Sequence, residues 1–169
     1  MRKSAIAVVM TAGLLAGISP AEAVTAPTRP TAAQKLQLQY LVEEEKLARD
    51  VYAYLAANVT SQKFSNIVKS EQTHMDNISA LLKKYNLFNP TTTRAAGVFR
   101  DKELQALYND LIAKGSVGIV DAFAVGVAIE KLDIADLKKM MASPAPADVK
   151  LAWDQLLKGS INHLAAFSR

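Results

Sequence analysis

Four long stretches of this chain repeat apolar residues at intervals of three and four, and in each the apolar stripe is interrupted by an acid or a histidine. That spacing is the period of an amphipathic helix, whose apolar stripe has to be buried against other helices. Ionisable groups on such a stripe are carried into the interior with it. A lone buried charge is costly, so these groups must be paired, protonated or bound to a cation.

The first helix is predicted over about 32–58, with Leu38, Leu41, Val42, Ala48, Tyr52 and Leu55 inward and Thr31 or a neighbour as a cap. A second spans about 62–86, with Phe64, Ile67, Val68, Ile78, Leu81, Leu82 and Tyr85 inward. A loop containing Pro90 and Gly97 follows, then a short helix capped by Asp101 and ended by Gly115. Ser116 is the expected cap of a fourth helix over about 117–142, with Ile119, Val120, Phe123, Val127, Ile134, Leu137 and Met141 inward. Ser143-Pro144-Ala145-Pro146 breaks the chain. A fifth helix runs from about 147 to the C-terminus, with Val149, Trp153, Leu156, Leu157, Leu164 and Phe167 inward. No stretch alternates as a strand does. The expected fold is all-α, a four-helix bundle whose short extra helix lies in a long connection between the second and fourth helices.

The N-terminus has a different character. Arg2 and Lys3 precede a nearly unbroken apolar run from Ala5 to Ile18, and Ala21-Glu22-Ala23 is a small-x-small cleavage site. Residues 1–23 read as a secretory signal, the apolar run being short for a membrane span. Residues 24–31, with two prolines, read as a tether, and 32–169 as one bundle domain. The expected location is the periplasm or the cell exterior. The signal carries two positive charges and one negative, so its loss lowers the formal charge from +4 to +3. This weak excess forms no concentrated basic patch, which argues against nucleic acid as a partner. No later segment is long and apolar enough to span a bilayer. There is no cysteine, so disulfides are excluded and any metal site must use His, Asp and Glu. Gly-rich phosphate loops and nucleophile elbows are also absent from the sequence.

The interrupting residues carry the chemistry. Glu45 lies four after Leu41 and three after Val42. Glu71 lies three after Val68, and His74 follows one turn later. Glu130 lies three after Val127, with Asp133 a turn beyond. His163 lies seven after Leu156, with Ser160 a turn before it. Glu71-x-x-His74 puts two ligand types on one helix face, as carboxylate metal sites in bundles require. Glu43 and Glu44 complete a run with Glu45 and are expected on a solvated face, one residue of helical phase separating Glu44 from Glu45. Both histidines lie on apolar stripes, and a shared cation accounts for the whole set. Trp153 is expected in the core, and Lys83-Lys84 and Lys138-Lys139 in solvent.

These residues, in this order, resemble the ferritin-like superfamily, to which rubrerythrins and bacterioferritins belong. EEEKLARDVY (43–52), SEQTHMDNI (70–78), AIEKLDIADL (128–137) and GSINHLAAF (159–167) are similar to an exported bacterial branch known only as a domain of unknown function. The resemblance covers about residues 35–167. It implies Glu45 as a terminal carboxylate, Glu71 as a bridge beside His74, and Glu130 with His163 as the partner pair. It implies one or two iron or manganese ions and reactions such as ferrous oxidation or peroxide reduction, with oxygen or peroxide as the partner. A homodimer is left open. Ser160 departs from the pattern, since full two-metal sites carry Glu there. Asp133 either replaces that carboxylate or faces solvent, which would leave a single metal or a weak second site. Tyr52 is expected to bond a ligand carboxylate, Arg49 to pair with Glu45 or Asp133, and Asn162 to support His163. Two other functions stay open: a non-catalytic metal-sequestering protein, and a metal-free structural or partner-binding bundle.

Overall fold

The computed structural model describes residues 27–169. The expected signal, 1–23, and the first residues of the expected tether lie outside the described residues. Five helices follow in order: α1 (Ala32–Asn58), α2 (Gln62–Lys84), α3 (Lys102–Gly115), α4 (Ile119–Met141) and α5 (Ala147–Phe167). No strand occurs among the described residues, and no described helix is long and apolar enough to cross a membrane.

Local chemistry fixes the helix ends. Thr31 and Gln34 form a reciprocal capping box on α1. Gln34 Nε2 also donates to Pro144 O at 2.9 Å, tying the start of α1 to the α4–α5 turn. Asp101 accepts from Glu103 N at 2.8 Å and Leu104 N at 3.1 Å, capping α3 as expected. α2 stops at Lys84, two residues before the expected end, because Asn86 adopts a left-handed φ of 54°. Asn tolerates that conformation better than most side chains do, and it closes helices.

Four long helices make the bundle: α1 packs on α2 and α4, and α5 packs on α4 and α2. Two apolar clusters fill it. One joins Leu47, Val51, Tyr52, Leu55, Phe64, Ile67, Val125, Ile129 and Phe167. The other joins Leu38, Leu41, Val42, Ile78, Leu82, Leu137, Val149, Trp153 and Leu156. Chain direction follows from the order in which each helix meets them. α1 and α5 run from the second cluster to the first, and α2 and α4 run from the first to the second. Helices α2 and α4 are therefore parallel, and their connection must travel back along the bundle. Residues 85–118, including α3, make that return, and α3 packs against α1 and α4. Each long helix passes a layer of ionisable residues between the two clusters.

Three expectations fail in α1 and α4. Glu43 and Glu44 are buried rather than solvated. The return segment lies over the outer face of α1, where the Glu43 carboxylate accepts from Asp101 N at 3.2 Å. On the same face Lys46 pairs with Asp50, donates to Ala95 O at 2.9 Å and lies over the Phe99 ring, and Asp50 accepts from Gly97 N at 2.9 Å. In α4 the inward stripe is Ala122, Val125, Ile129, Leu137 and Met140, while Ile119 and Val120 are 40% and 77% exposed. The first three turns of α4 are apolar nearly all round, so periodicity alone gives them no unique phase. Gly118 rather than Ser116 starts α4, and Ser116 instead closes α3, donating its N–H to Ile112 O at 3.1 Å.

Candidate metal centre

The ionisable layer draws its side chains from four helices. Glu45 comes from α1, Glu71 and His74 from α2, Glu130 and Asp133 from α4, and Ser160 and His163 from α5, all of them buried. Apolar clusters above and below keep the layer dry.

Two triads form within it, and Glu71 belongs to both. Glu45, Glu71 and His74 bring one ligand atom each within 4.8 Å of one another, as do Glu71, Glu130 and His163. His74 Nδ1 lies 3.1 Å from Glu45 Oε2 and 2.9 Å from Glu71 Oε2. His163 Nδ1 lies 2.9 Å from Glu71 Oε1 and 3.6 Å from Glu130 Oε1. The imidazole rings face each other with centroids 5.6 Å apart. Ligand atoms held about 2.1 Å from one cation and about 90–110° apart lie about 3.0–3.4 Å from each other. The observed separations are of that size. His163 Nδ1 and Glu71 Oε1 approach at 2.9 Å yet satisfy no hydrogen bond, because the direction is wrong for one. Two ligand atoms that approach this closely off a hydrogen-bond direction suit a shared cation.

Supporting contacts fix these side chains. Tyr52 Oη donates to Glu130 Oε1 at 2.7 Å, the bond its position predicted. His163 Nε2 lies 3.0 Å from Ser70 Oγ, a partner that sequence reading missed because Ser70 is a half-buried residue among polar neighbours. With that hydroxyl accepting from Nε2–H, Nδ1 keeps its lone pair for the triad. Gly159 allows the close approach of α5 to His74, since a Cβ there would stand 2.5 Å from the ring. Asp133 faces inward and accepts from Ser160 Oγ, so the residue at the departure from the pattern binds the carboxylate expected to compensate for it. Glu44, Glu45, Glu71, Glu130 and Asp133 together line one small enclosed cavity of about 10 Å³, room for about one water or ion. Glu45 Oε1 and Asp133 Oδ1 are buried without a hydrogen-bond partner, while the neutral Glu44 carboxyl bonds the Asp136 carboxylate.

Two expected supports lie elsewhere. Arg49 meets neither Glu45 nor Asp133. Its Nη2 lies 2.7 Å from Asp50 Oδ1 and its Nη1 2.7 Å from Gln72 Oε1, because the guanidinium follows the outer face of α1. Asn162 is exposed and turned away from His163, its neighbour in the chain, as the helical phase dictates.

Burial, with Asp133 and Asp136 nearby, raises Glu44 to about 9. Burial raises Glu45 to about 8 against the pull of His74, and it raises Glu130 and Asp133 too. Burial alone would lower both histidines. Glu45 and Glu71 outweigh it at His74, raised to about 10, and Glu130 and Glu71 outweigh it at His163, raised to about 9. Burial would raise Glu71, but His163 and His74 outweigh it and hold this carboxyl low.

A raised folded-state pKa gives stability that is complete below the unfolded value and lost as pH rises through the folded one. For the acids that loss begins near the ordinary carboxylate range, and for the histidines near about 6.5. Glu71 opposes it only in acid, where its lowered pKa makes stability fall as pH drops. The metal-free protein is therefore expected to melt at a lower temperature at about pH 8.5 than at about pH 6. Cation binding displaces protons, so the rise in Tm on adding Mn2+ should be larger at the higher pH. Thermal melts with and without Mn2+ check both signs, and a smaller rise at high pH would contradict the ligand assignment.

Residues 34–169 match the uncharacterized protein domain DUF2202. The chain belongs to the DUF2202 family. A relative in Methanocaldococcus jannaschii, the uncharacterized protein MJ0754, is 48% identical over 127 residues, which make up 75% of this chain and 69% of that protein. The crystal structure of the hypothetical protein MJ0754 superposes with a TM-score of 0.80 at 44% identity, covering 85% of this chain and 82% of that one. The helical bundle is thus a fold this DUF2202 chain shares with a relative. Function has to be argued from the site itself.

Proposed function

We propose that this DUF2202 chain is an exported ferritin-like protein that binds iron or manganese, one or two ions, at Glu45, Glu71, His74, Glu130 and His163, with Asp133 on the same cavity. One observation carries the reading: carboxylate and imidazole atoms from four helices converge on shared points in a dry layer, several of them without any hydrogen-bond partner. Oxygen and imidazole donors without thiolate suit Fe2+ and Mn2+. A bound iron or manganese ion would supply electron transfer to oxygen or peroxide. The chain's own residues do the rest. Glu71 offers one oxygen to each triad and so couples them. Ser70 orients His163, and Gly159 makes room for His74. The Tyr52 hydroxyl holds a proton 2.7 Å from Glu130 Oε1, beside the site. The apolar clusters exclude water above and below.

A second reading has one observation in its favour. The raised pKa values of His74 and His163 would let two imidazoliums balance the acids in a metal-free polar core. It leaves Glu45 Oε1 and Asp133 Oδ1, which line the shared cavity, without partners that a cation there would supply.

Ferrous iron added to the metal-free protein, with oxygen or peroxide present, separates the roles. An oxidoreductase is expected to consume Fe2+ faster than buffer does and to lose that activity in Glu71→Ala. Retention of metal without turnover would support sequestration, and no retention would favour the metal-free bundle.

A further inference from the structure

An acidic route joins the enclosed cavity to the surface. Glu45 Oε1 and Asp133 Oδ1 are buried, have no hydrogen-bond partner and belong to residues that line the cavity. Glu44, only 3% exposed, lines it as well. The Glu44 carboxyl also bonds Asp136, one turn beyond Asp133 on α4. Asp136 is half-buried and lines an open surface pocket with Tyr40, Glu103 and Lys139. The charges of Glu44, Asp136, Asp101 and Glu103 all act on the Tyr40 hydroxyl, so four acids gather at this mouth, against Lys139. The Glu44–Asp136 pair stands between the surface pocket and the cavity. Neutral groups close the opposite, α2–α5 side, where Gly159 packs against the His74 ring and Ser70 Oγ lies 3.0 Å from His163 Nε2. A dication arriving there meets imidazole edges before any carboxylate.

A divalent cation entering a dry interior must exchange its waters for protein oxygens as it goes. Carboxylates spaced along a route supply them. We propose that metal ions enter the site along the α1–α4 seam, drawn to Asp136 at the surface pocket and admitted when the Glu44 carboxyl swings from Asp136 into the cavity. This inference rests on the metal reading of the triads. The pair holds no resident ion, and the cation passes on to the ligands, with Glu45 Oε1 and Asp133 Oδ1 free to receive it. Asp136 lowers the barrier to passage in both directions. It therefore sets the rates of uptake and release and not the affinity.

Stopped-flow uptake of Mn2+ by the metal-free full chain, followed with a fluorescent chelator, and release into excess EDTA test this. Asp136→Asn keeps the shape and removes the charge. It is expected to slow uptake and release alike, by about tenfold, so that Kd from equilibrium dialysis stays within about threefold. Asp136→Glu, which restores a carboxylate, should recover most of the rate. Asp76→Asn removes an exposed acid from α2 and should leave uptake unchanged. Wild-type uptake should slow as NaCl rises, and uptake by Asp136→Asn should slow less. Uptake by Asp136→Asn at the wild-type rate would overturn the proposal, because the ion would then enter elsewhere. A tenfold weaker Kd with release unchanged or faster would also overturn it, since Asp136 would then stabilise the bound ion and not its passage. A wild type that takes up no Mn2+ at all would overturn the metal reading as well, which separates that failure from the first two.

Discussion

Glu71→Ala is expected to strip the protein of metal altogether. Glu71 is the one residue in both triads, giving Oε2 to the His74 side and Oε1 to the His163 side. Its removal leaves each cation with one carboxylate and one imidazole, too few to hold it in competition with water. The fall in affinity should exceed the roughly 100-fold that loss of an outer hydrogen-bond partner costs. Glu45→Ala damages only the His74 triad and should leave the other ion in place. Removing one member of a buried charged pair costs about 3–5 kcal/mol when the other stays charged. The imidazoles can shed their protons, so the metal-free Glu71→Ala should lose less than that. Metal analysis and urea unfolding of the two variants check this. Equal metal loss from Glu45→Ala and Glu71→Ala would contradict the sharing of Glu71.

Gly159→Ala tests the site from a residue that carries no ligand atom. A Cβ at 159 would stand 2.5 Å from His74 Cε1 and Nε2, closer than such atoms pack, so the ring must move. His74 Nδ1 would then leave its position 2.9 Å from Glu71 Oε2. Metal affinity is expected to fall about 10–100-fold, as when an outer support is lost. Stability should change less. Alanine in a helix is favoured over glycine by about 1 kcal/mol, which offsets part of the about 1–3 kcal/mol that overpacking costs. Calorimetric titration with Mn2+, beside thermal melts of the metal-free variant, separates the two effects. Unchanged affinity would mean that His74 does not ligate.

What could be read in the sequence divides by how local the determining forces are. The helices followed from apolar spacing and caps such as Thr31 and Asp101, which act within a few residues. Glu45, Glu71, His74, Glu130 and His163 were legible because each is an ionisable residue on an apolar stripe, and all five are buried. Glu44 was not legible. Its burial depends on α4, whose Asp133 and Asp136 lie beside it and come from far along the chain. The phase of α4 was ambiguous because its early turns are apolar on every side, and the inward positions of Glu130 and Asp133 set it. Arg49 was misplaced because Asp50 and Gln72 compete for it, and Gln72 is a neighbour only after α1 and α2 pack. Ser70 and Gly159 act across the α2–α5 contact, which no local pattern encodes.

The most direct test of the account is the metal content of the protein purified from its native compartment, measured by elemental analysis beside the double variant Glu71→Ala, His74→Ala. The account predicts iron or manganese at one or more ions per chain in the wild type and none in the variant. Equal metal in the two proteins, or none in the wild type even after incubation with Fe2+ and Mn2+, would contradict it.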